Sequence, residues 1–282
     1  MSVTVKIKPK GLFAKKLTLQ DVLLEHMHYG IMDAQYRLEM GATGDYMTVY
    51  DTKMIARGYE LHFEGKEIEL RLFLPTSAYE IVAFYDYVVH ICEKAGAKNF
   101  EREGEISTFD QIPQFIEDDK QGSLGGLKYI RENIESGKTE RLQFFGALHP
   151  IDLGKKELNI IGEDLDKLGE FLNKMQQLDA YYAAPILYRQ EDASVIGVYA
   201  ITSDTRSIVP LKPSVPVVHN GLQVQEWYAV LGISEGEQAT VRFEDFLNNI
   251  DKSNYYDAGH FLLTLSEREM RETVQKCQNG LQ

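Results

Sequence analysis

Residues 59–72 read YELHFEGKEIELRL, and this stretch decides the fold class. Apolar and polar residues alternate on both sides of Gly65, which is typical of two antiparallel strands joined by a tight turn. A type II′ turn that begins at Gly65 places Glu60 opposite Arg71, whereas a turn one residue earlier places Glu60 opposite Glu69. Because like charges on neighbouring strands repel each other, the register that pairs Glu60 with Arg71 is predicted.

A long helix is predicted directly after this hairpin. Pro75 ends the second strand because it has no backbone N–H to donate. Ser77, followed three residues later by Glu80, is typical of the capping box that starts a helix. Gly96 is typical of the residue that closes one, so the helix is predicted over 78–95. Its apolar residues form two stripes, which indicates burial on two sides.

The remaining elements are predicted from periodicity and from helix start and stop signals. A short helix is predicted over 18–28 and a loop over 29–45. Two helices, 108–119 and 124–135, are predicted on either side of a glycine-rich turn. Strands and helices then alternate without a regular βαβ period. The predicted fold class is therefore α+β, with mixed, mainly antiparallel sheets and packed helices.

The length of 282 residues suits one compact α+β unit, or two subdomains that divide near residue 150. The motif FDQI at 109–112 is echoed by FEDF at 243–246. Each opens an acidic helix at the end of a strand-rich half. This echo raises the hypothesis that the two halves are similar.

The charge balance argues against two classes of partner. The formal net charge is −13, which repels phosphate backbones and anionic lipid headgroups, so neither nucleic acid nor a membrane is predicted as a partner. Cys92 and Cys277 lie far apart, which predicts neither a disulfide framework nor a zinc knuckle. Residues 1–8 alternate like a strand and predict no export signal. A cytoplasmic protein is expected.

Part of the hairpin and of the helix after it resembles a known family. The residues that carry the resemblance are ARGYE at 56–60, ELRLFLPT at 69–76, Ile81, and Phe84-Tyr85. They are similar to the most recognisable block of a family of Firmicutes proteins of about this length, and the similarity runs from the first strand to the end of the chain. That family has only an unknown-function label. The resemblance therefore implies a bacterial cytoplasmic protein and supplies no activity.

Two motifs that are typical of ligand sites are interpreted as structural. The glycine-rich segment 122–126 has neither the dinucleotide nor the Walker spacing, and acidic residues precede it, so a turn is favoured over a phosphate loop. The segment EHMH at 25–28 contains two histidines that point apart on a helix. Zinc needs three or four converging ligands, so no metal and no cofactor is predicted.

The sequence leaves two classes of function open. With no recognisable catalytic motif, the leading hypothesis is non-catalytic binding of a protein partner. The hairpin is then the recognition edge, and Arg57, Glu60 and Arg71 are the candidate binding residues.

The alternative is a hydrolase-type enzyme that uses a histidine–carboxylate pair as a general base. The candidate pairs are His149 with Asp152, in a loop, and His90 with Asp86, one helical turn apart. His219 is a further loop histidine. The ligand and the oligomeric state are not predicted.

Overall fold

The computed structural model describes residues 1–10, 15–215 and 221–279. The chain forms two compact units, Met1–Leu178 and Asp179–Gln282, which we call unit 1 and unit 2. Within each unit, strands and helices combine in mainly antiparallel sheets with packed helices. This confirms the α+β fold class.

Unit 1 is built on one large sheet. The strands of unit 1 are β1 (Ser2–Ile7), β2 (Met27–Met32), β3 (Leu38–Met40), β4 (Tyr46–Asp51), β5 (Tyr59–Glu64), β6 (Glu67–Phe73), β7 (Phe100–Arg102), β8 (Glu105–Ser107), β9 (Leu142–Phe145) and β10 (Pro150–Leu153). The helices are α1 (Leu19–Val22), α2 (Ala78–Ala95), α3 (Ile112–Glu135), α4 (Lys155–Ile161) and α5 (Leu165–Gln176). Eight strands form an antiparallel sheet in the order β3-β2-β4-β5-β6-β1-β7-β8, and β9 pairs with β10.

The predicted register of the β5–β6 hairpin is confirmed. Glu60 lies opposite Arg71, and Leu61 lies opposite Leu70. Gly65 has a φ of 62°, as the first central residue of a type II′ turn requires. The hairpin is not an edge of the sheet, however, since β4 flanks β5 and β1 flanks β6. The prediction of a recognition edge is therefore wrong, because both strands already use their backbone groups for pairing.

The predicted helix after the hairpin is also confirmed. Helix α2 spans Ala78–Ala95; the Ser77 hydroxyl accepts a hydrogen bond from the Glu80 backbone N–H at 3.0 Å, and Gly96 closes the helix with a φ of 63°. The helix packs against β1 and β6. Its residues Phe84 and Val88 are fully buried. Each such side chain stabilises the fold by about 1.5 to 3 kcal/mol relative to exposure.

Helix α3 differs from the prediction. It runs without a break from Ile112 to Glu135, so the predicted turn at 122–126 is wrong. The reason lies in packing against the segment before α2: a Cβ on Gly126 would lie 3.0 Å from the ring of Pro75, and one on Gly122 would lie 3.5 Å from Leu74. Two glycines one turn apart thus let the helix approach this segment closely, at a cost in helix propensity.

The segment 18–45 also differs from the prediction. Helix α1 ends at Val22, and strands β2 and β3 lie within the segment that was predicted as helix end and loop. His28 lies opposite Tyr50 of β4, and Gly30 lies opposite Thr48. Pairing with distant strands therefore overrides the weak local helix signal.

Unit 2 contains two smaller sheets. The strands of unit 2 are β11 (Tyr181–Tyr182), β12 (Ile186–Arg189), β13 (Val195–Thr202), β14 (Ser207–Pro210), β15 (Glu226–Ser234), β16 (Glu237–Arg242) and β17 (His260–Leu263), and its helices are α6 (Phe243–Asn248) and α7 (Glu267–Asn279). The sheet orders are β11-β14-β17 and β12-β13-β15-β16. Strand number and order differ from those of unit 1, so the echo between 109–112 and 243–246 has no counterpart in the sheets. Phe243 and Phe246 lie in a core shared with Phe261 and Met270.

Candidate functional site

One face of the large sheet in unit 1 carries polar side chains, because residues of β5 and β6 alternate between a buried and a half-exposed side. Thr48, Glu60 and Arg71 lie next to one another on β4, β5 and β6. His62 and Glu69 form the next pair on the same side. We call the surface formed by these five residues the polar sheet face. It contains two of the three predicted binding residues, Glu60 and Arg71.

Glu60 and Arg71 form a loose ion pair. Arg71 Nη1 lies 3.5 Å from Glu60 Oε2, and the two side chains are 44% and 31% exposed, respectively. Arg71 also donates from Nε to the Ser2 hydroxyl at 3.1 Å. An exposed pair with a long separation contributes little to folding stability. Both charges therefore remain accessible to a partner.

The third predicted binding residue, Arg57, contacts the same phenylalanine ring as Arg71. The guanidinium carbons of Arg71 and Arg57 lie 5.1 Å and 5.4 Å from the centroid of Phe73. Arg57 also lies 4.4 Å from the ring centroid of Phe144. Both distances to Phe73 are within the range of cation–π attraction. Two cationic groups thus share one phenylalanine next to the polar sheet face.

Contacts within unit 1 determine the position of Arg57. Its Nε donates to the backbone carbonyl of Phe145 at 3.0 Å, and its Nη1 donates to that of Pro75 at 3.3 Å. Desolvation lowers the pKa of Arg57 to about 10, so the group stays protonated at neutral pH. Arg57 therefore anchors Phe73, and Arg71 is the more accessible of the two cations.

The residues that carry the family resemblance meet at the buried carboxylate of Glu80. Its Oε1 accepts from the backbone N–H of Gly58 at 2.7 Å and of Arg57 at 3.0 Å. The Thr76 hydroxyl donates to the other oxygen. Burial raises the pKa of Glu80 although these hydrogen bonds favour the charged form. This network joins 56–60 to the start of α2, so much of the recognisable block is structural.

A groove of about 420 Å³ lies beside Glu60. Strands β2, β4 and β5 and the loop before β4 contribute its walls. The lining residues are Ile31, Met32, Gly44, Asp45, Tyr46, Met47, Thr48 and Glu60. The first four of these residues lie in the segment 29–45, which the sequence predicts to be a loop. No local signal connects that segment to the hairpin.

An exposed aromatic ring forms one wall of the groove. Tyr46 is 57% exposed, and its ring stacks on His62 with centroids 4.5 Å apart and an interplanar angle of 15°. His62 Nδ1 also makes a short hydrogen bond to the Asp45 carbonyl. The wall therefore has a defined orientation, although most of Tyr46 lies in solvent.

The structure does not bring His90 and Asp86 together. Asp86 is exposed, and His90 is partly buried and stacked on Tyr87, with centroids 6.4 Å apart. Within the described residues, no hydrogen bond or ion pair joins His90 to Asp86. Burial, followed by the charge of Lys94, lowers the pKa of His90. This imidazole therefore lacks the carboxylate that the enzyme alternative assigns to it.

His149 and Asp152 are both buried, and unit 1 holds each through a different contact. His149 Nδ1 lies 3.1 Å from the Pro150 carbonyl. Asp152 Oδ2 forms an ion pair with Nε of Arg141 at 2.7 Å. Neither contact joins the imidazole to the carboxylate. A carboxylate that is paired with arginine is also a poor orienting group for a histidine base.

Another histidine–carboxylate contact in unit 1 was not predicted from the sequence. His26 Nε2 lies 3.6 Å from Oδ2 of the buried Asp51, which also accepts from the Tyr79 hydroxyl at 2.7 Å. Burial and Asp51 raise the pKa of Tyr79 to about 12. The sequence singles out the histidines at 25–28 but does not identify Asp51, because Asp51 lies at the end of β4, distant in the sequence.

A series of hydrogen bonds in unit 2 was also not predicted from the sequence. Nδ1 of His260 lies 2.8 Å from Oδ1 of Asp257, and its Nε2 lies 3.2 Å from the Tyr182 hydroxyl. Asp257 Oδ1 also accepts from the Gly259 N–H at 2.8 Å. Since an ionised carboxylate only accepts, this geometry places the proton of a neutral His260 on Nδ1. Tyr182, His260 and Asp257 are all buried.

Comparison with known proteins identifies a family whose function is unknown. Residues 2–273 match the model of a domain of unknown function, DUF4299. No curated protein and no solved structure matches the chain. In the described residues, no helix is both long and apolar enough to cross a membrane. His219, the remaining loop histidine of the sequence analysis, lies outside the described residues.

Proposed function

Because the chain belongs to the DUF4299 family, whose function is unknown, we propose its function from geometry: non-catalytic binding of a protein partner through the polar sheet face of unit 1. The observation that carries this proposal is the groove beside Glu60, next to the exposed cation of Arg71. Carboxylate, guanidinium and aromatic surface lie together there.

The energetics of this surface support binding over a purely structural role. The Glu60–Arg71 pair is long and exposed, so exchanging it for contacts with a partner costs little folding stability. Tyrosine and arginine are the residue types that most often dominate protein interfaces. Tyr46 and Arg71 present both on one side of the sheet.

Site-specific photo-crosslinking tests this proposal in cells that produce the full chain. A benzophenone amino acid in place of Tyr46 should give a defined covalent adduct with a partner protein. The same group in place of Tyr129, which is 64% exposed on α3, is the matched control and should give none. The adduct should disappear when Glu60→Arg is added, because this change reverses the charge beside the groove. Equal labelling from both positions, or none from Tyr46, would contradict the proposal.

A second candidate function is catalysis in unit 2, favoured by the hydrogen-bonded chain of Tyr182, His260 and Asp257. A carboxylate that orients a histidine, which in turn accepts from a hydroxyl, is the arrangement that activates nucleophiles in hydrolases. The burial of all three residues weighs against it, since a substrate needs access to the hydroxyl.

Chromogenic esters and phosphoesters test the catalytic candidate. If the chain is catalytic, turnover by the wild type should fall at least about 100-fold in His260→Gln, as general-base removal requires. Tyr182→Phe should show a similar loss. Turnover that is equal in wild type and both variants would exclude this site, and a folded His260→Gln protein, checked by circular dichroism, is needed for the comparison.

A further inference from the structure

We infer that the groove beside Glu60 accepts a lysine or arginine side chain from an extended segment of the partner protein. This inference rests on the proposed function and specifies what the polar sheet face recognises. The commitment to a basic side chain comes from the charges, the walls and the dimensions of the groove.

Two carboxylates at the groove are available to a cation. Glu60 Oε2 has Arg71 at 3.5 Å, and Arg71 is the one cation within 4.0 Å of Glu60 among the described residues. The exposed side chain of Asp45 makes neither a hydrogen bond nor an ion pair with any residue that the structure describes. A charge-assisted hydrogen bond from a lysine or arginine to either carboxylate is stronger than one between neutral groups.

The walls suit the rest of such a side chain. Ile31 and Met32 line the groove and provide apolar surface for an aliphatic stem, and long basic side chains bury their stems in this way. The face of Tyr46 adds a cation–π surface, and its stacking on His62 keeps the ring in place. The groove volume of about 420 Å³ lies in the range of ligand pockets.

Other occupants fit the groove less well. An acidic segment would meet Glu60 and Asp45 as well as the net charge of −13. A purely apolar segment would cover two carboxylates without pairing them, which carries a desolvation penalty. A basic segment avoids both costs.

The backbone around the groove is closely packed, which favours a preformed site. A Cβ on Gly44 would lie 2.9 Å from the end of the Ile31 side chain, and one on Gly30 would lie 2.3 Å from the Glu39 carbonyl. The loop before β4 and strand β3 thus approach β2 as closely as glycine allows. Binding to a preformed groove loses less conformational entropy than binding that orders a loop.

A peptide array tests the inference with the full-length chain as the probe. Short synthetic peptides with neutral flanks carry lysine, arginine, norleucine, glutamine or glutamate at the central position. The wild type should select the lysine and arginine peptides. Fluorescence anisotropy on the best of these should show a Kd at least about tenfold weaker for Glu60→Gln, and weaker binding at raised salt. Glu105→Gln, an exposed glutamate on edge strand β8, is the matched control and should bind like the wild type.

Three outcomes would overturn the inference, and they separate it from the proposed function. Selection of apolar peptides that Tyr46→Ala abolishes and Glu60→Gln leaves unchanged would refute the basic side chain but keep the binding face. A concentration-dependent dimer, detected by light scattering and lost in Glu60→Gln, would show that a second copy of this chain is the occupant. No selection by the array together with no crosslink from Tyr46 would refute both proposals.

Discussion

Two of the arginine–carboxylate pairs in unit 1, Arg71–Glu60 and Arg102–Asp119, differ in nearly every physical respect. Arg71 and Glu60 lie 3.5 Å apart with side chains 44% and 31% exposed. Arg102 and Asp119 lie 2.6 Å apart with side chains 18% and 5% exposed. The Tyr85 hydroxyl donates to Asp119 at 2.6 Å and accepts from Arg102 at 2.9 Å, which closes a buried network on β7, α2 and α3.

The difference indicates which charges the fold depends on. Removing one member of a buried pair leaves an uncompensated charge, whereas an exposed pair exchanges its contacts with water at little cost. Arg102 also lies 4.6 Å from the ring centroid of Phe115, so its position is determined on several sides. We therefore expect the stability of the fold to depend much more on the Arg102–Asp119 pair than on the Glu60–Arg71 pair.

The largest expected effect is on the buried pair. Asp119→Ala leaves Arg102 and the Tyr85 hydroxyl without their acceptor and should lower the free energy of unfolding by about 3 to 5 kcal/mol. Urea denaturation measures the change. Asp118→Ala, an exposed neighbour on the same helix, is the control and should stay within about 0.5 kcal/mol of the wild type. Equal effects of the two substitutions would remove the distinction between the pairs.

The pH dependence of stability tests another buried carboxylate of unit 1, that of Glu80, against the exposed Glu60. Burial raises the pKa of Glu80 above its ordinary value of 4.5, so the stability linked to this group is fully present below pH 4.5 and is lost as the pH rises through the raised pKa. Glu80→Gln stays neutral at every pH. Its stability relative to the wild type should therefore increase as the pH rises through that window.

Urea denaturation at a series of pH values above 4.5 measures this difference. A gap between Glu80→Gln and the wild type that stays constant across the window would mean that the carboxyl of Glu80 titrates alike in the folded and unfolded chains.

Two glycines of helix α3, which also carries Asp119, provide a matched pair of substitutions. Replacing each by alanine should change the stability by less than Asp119→Ala does. Gly125 has open space around its Cβ position, so Gly125→Ala should stabilise the protein by about 0.5 to 1 kcal/mol through helix propensity. Gly126→Ala should gain less, because its Cβ meets Pro75 at 3.0 Å. Thermal unfolding compares the two variants. A larger gain at Gly126 would contradict the close approach of α3 to Pro75.

The smallest expected effect is on the exposed pair. Arg71→Ala, Glu60→Ala and the double variant should each lower the free energy of unfolding by about 0.2 to 1 kcal/mol, so that Tm stays within a few degrees of the wild type. The coupling energy from the double-mutant cycle should be similarly small. A loss as large as that of Asp119→Ala would mean that the polar sheet face is structural, and the proposed binding role would lose its basis.

Local sequence determines the β5–β6 hairpin and helix α2 because their signals lie close together in the chain. Alternation around Gly65 and the repulsion between Glu60 and Glu69 are sufficient to select the register, and Ser77 and Gly96 are sufficient to bound the helix. Each of these effects acts between residues that are near neighbours before the chain folds.

Only the tertiary structure decides the continuity of α3 and the composition of the candidate site. Gly122 and Gly126 read locally as a turn, and their contact with Leu74 and Pro75 keeps them helical. The groove joins β2, β4 and β5, whose pairing depends on contacts that are distant in sequence. The chain therefore encodes Glu60 and Arg71 as neighbours by local periodicity, while the residues around them come together only when the sheet forms, because strand pairing at long range has no local signature.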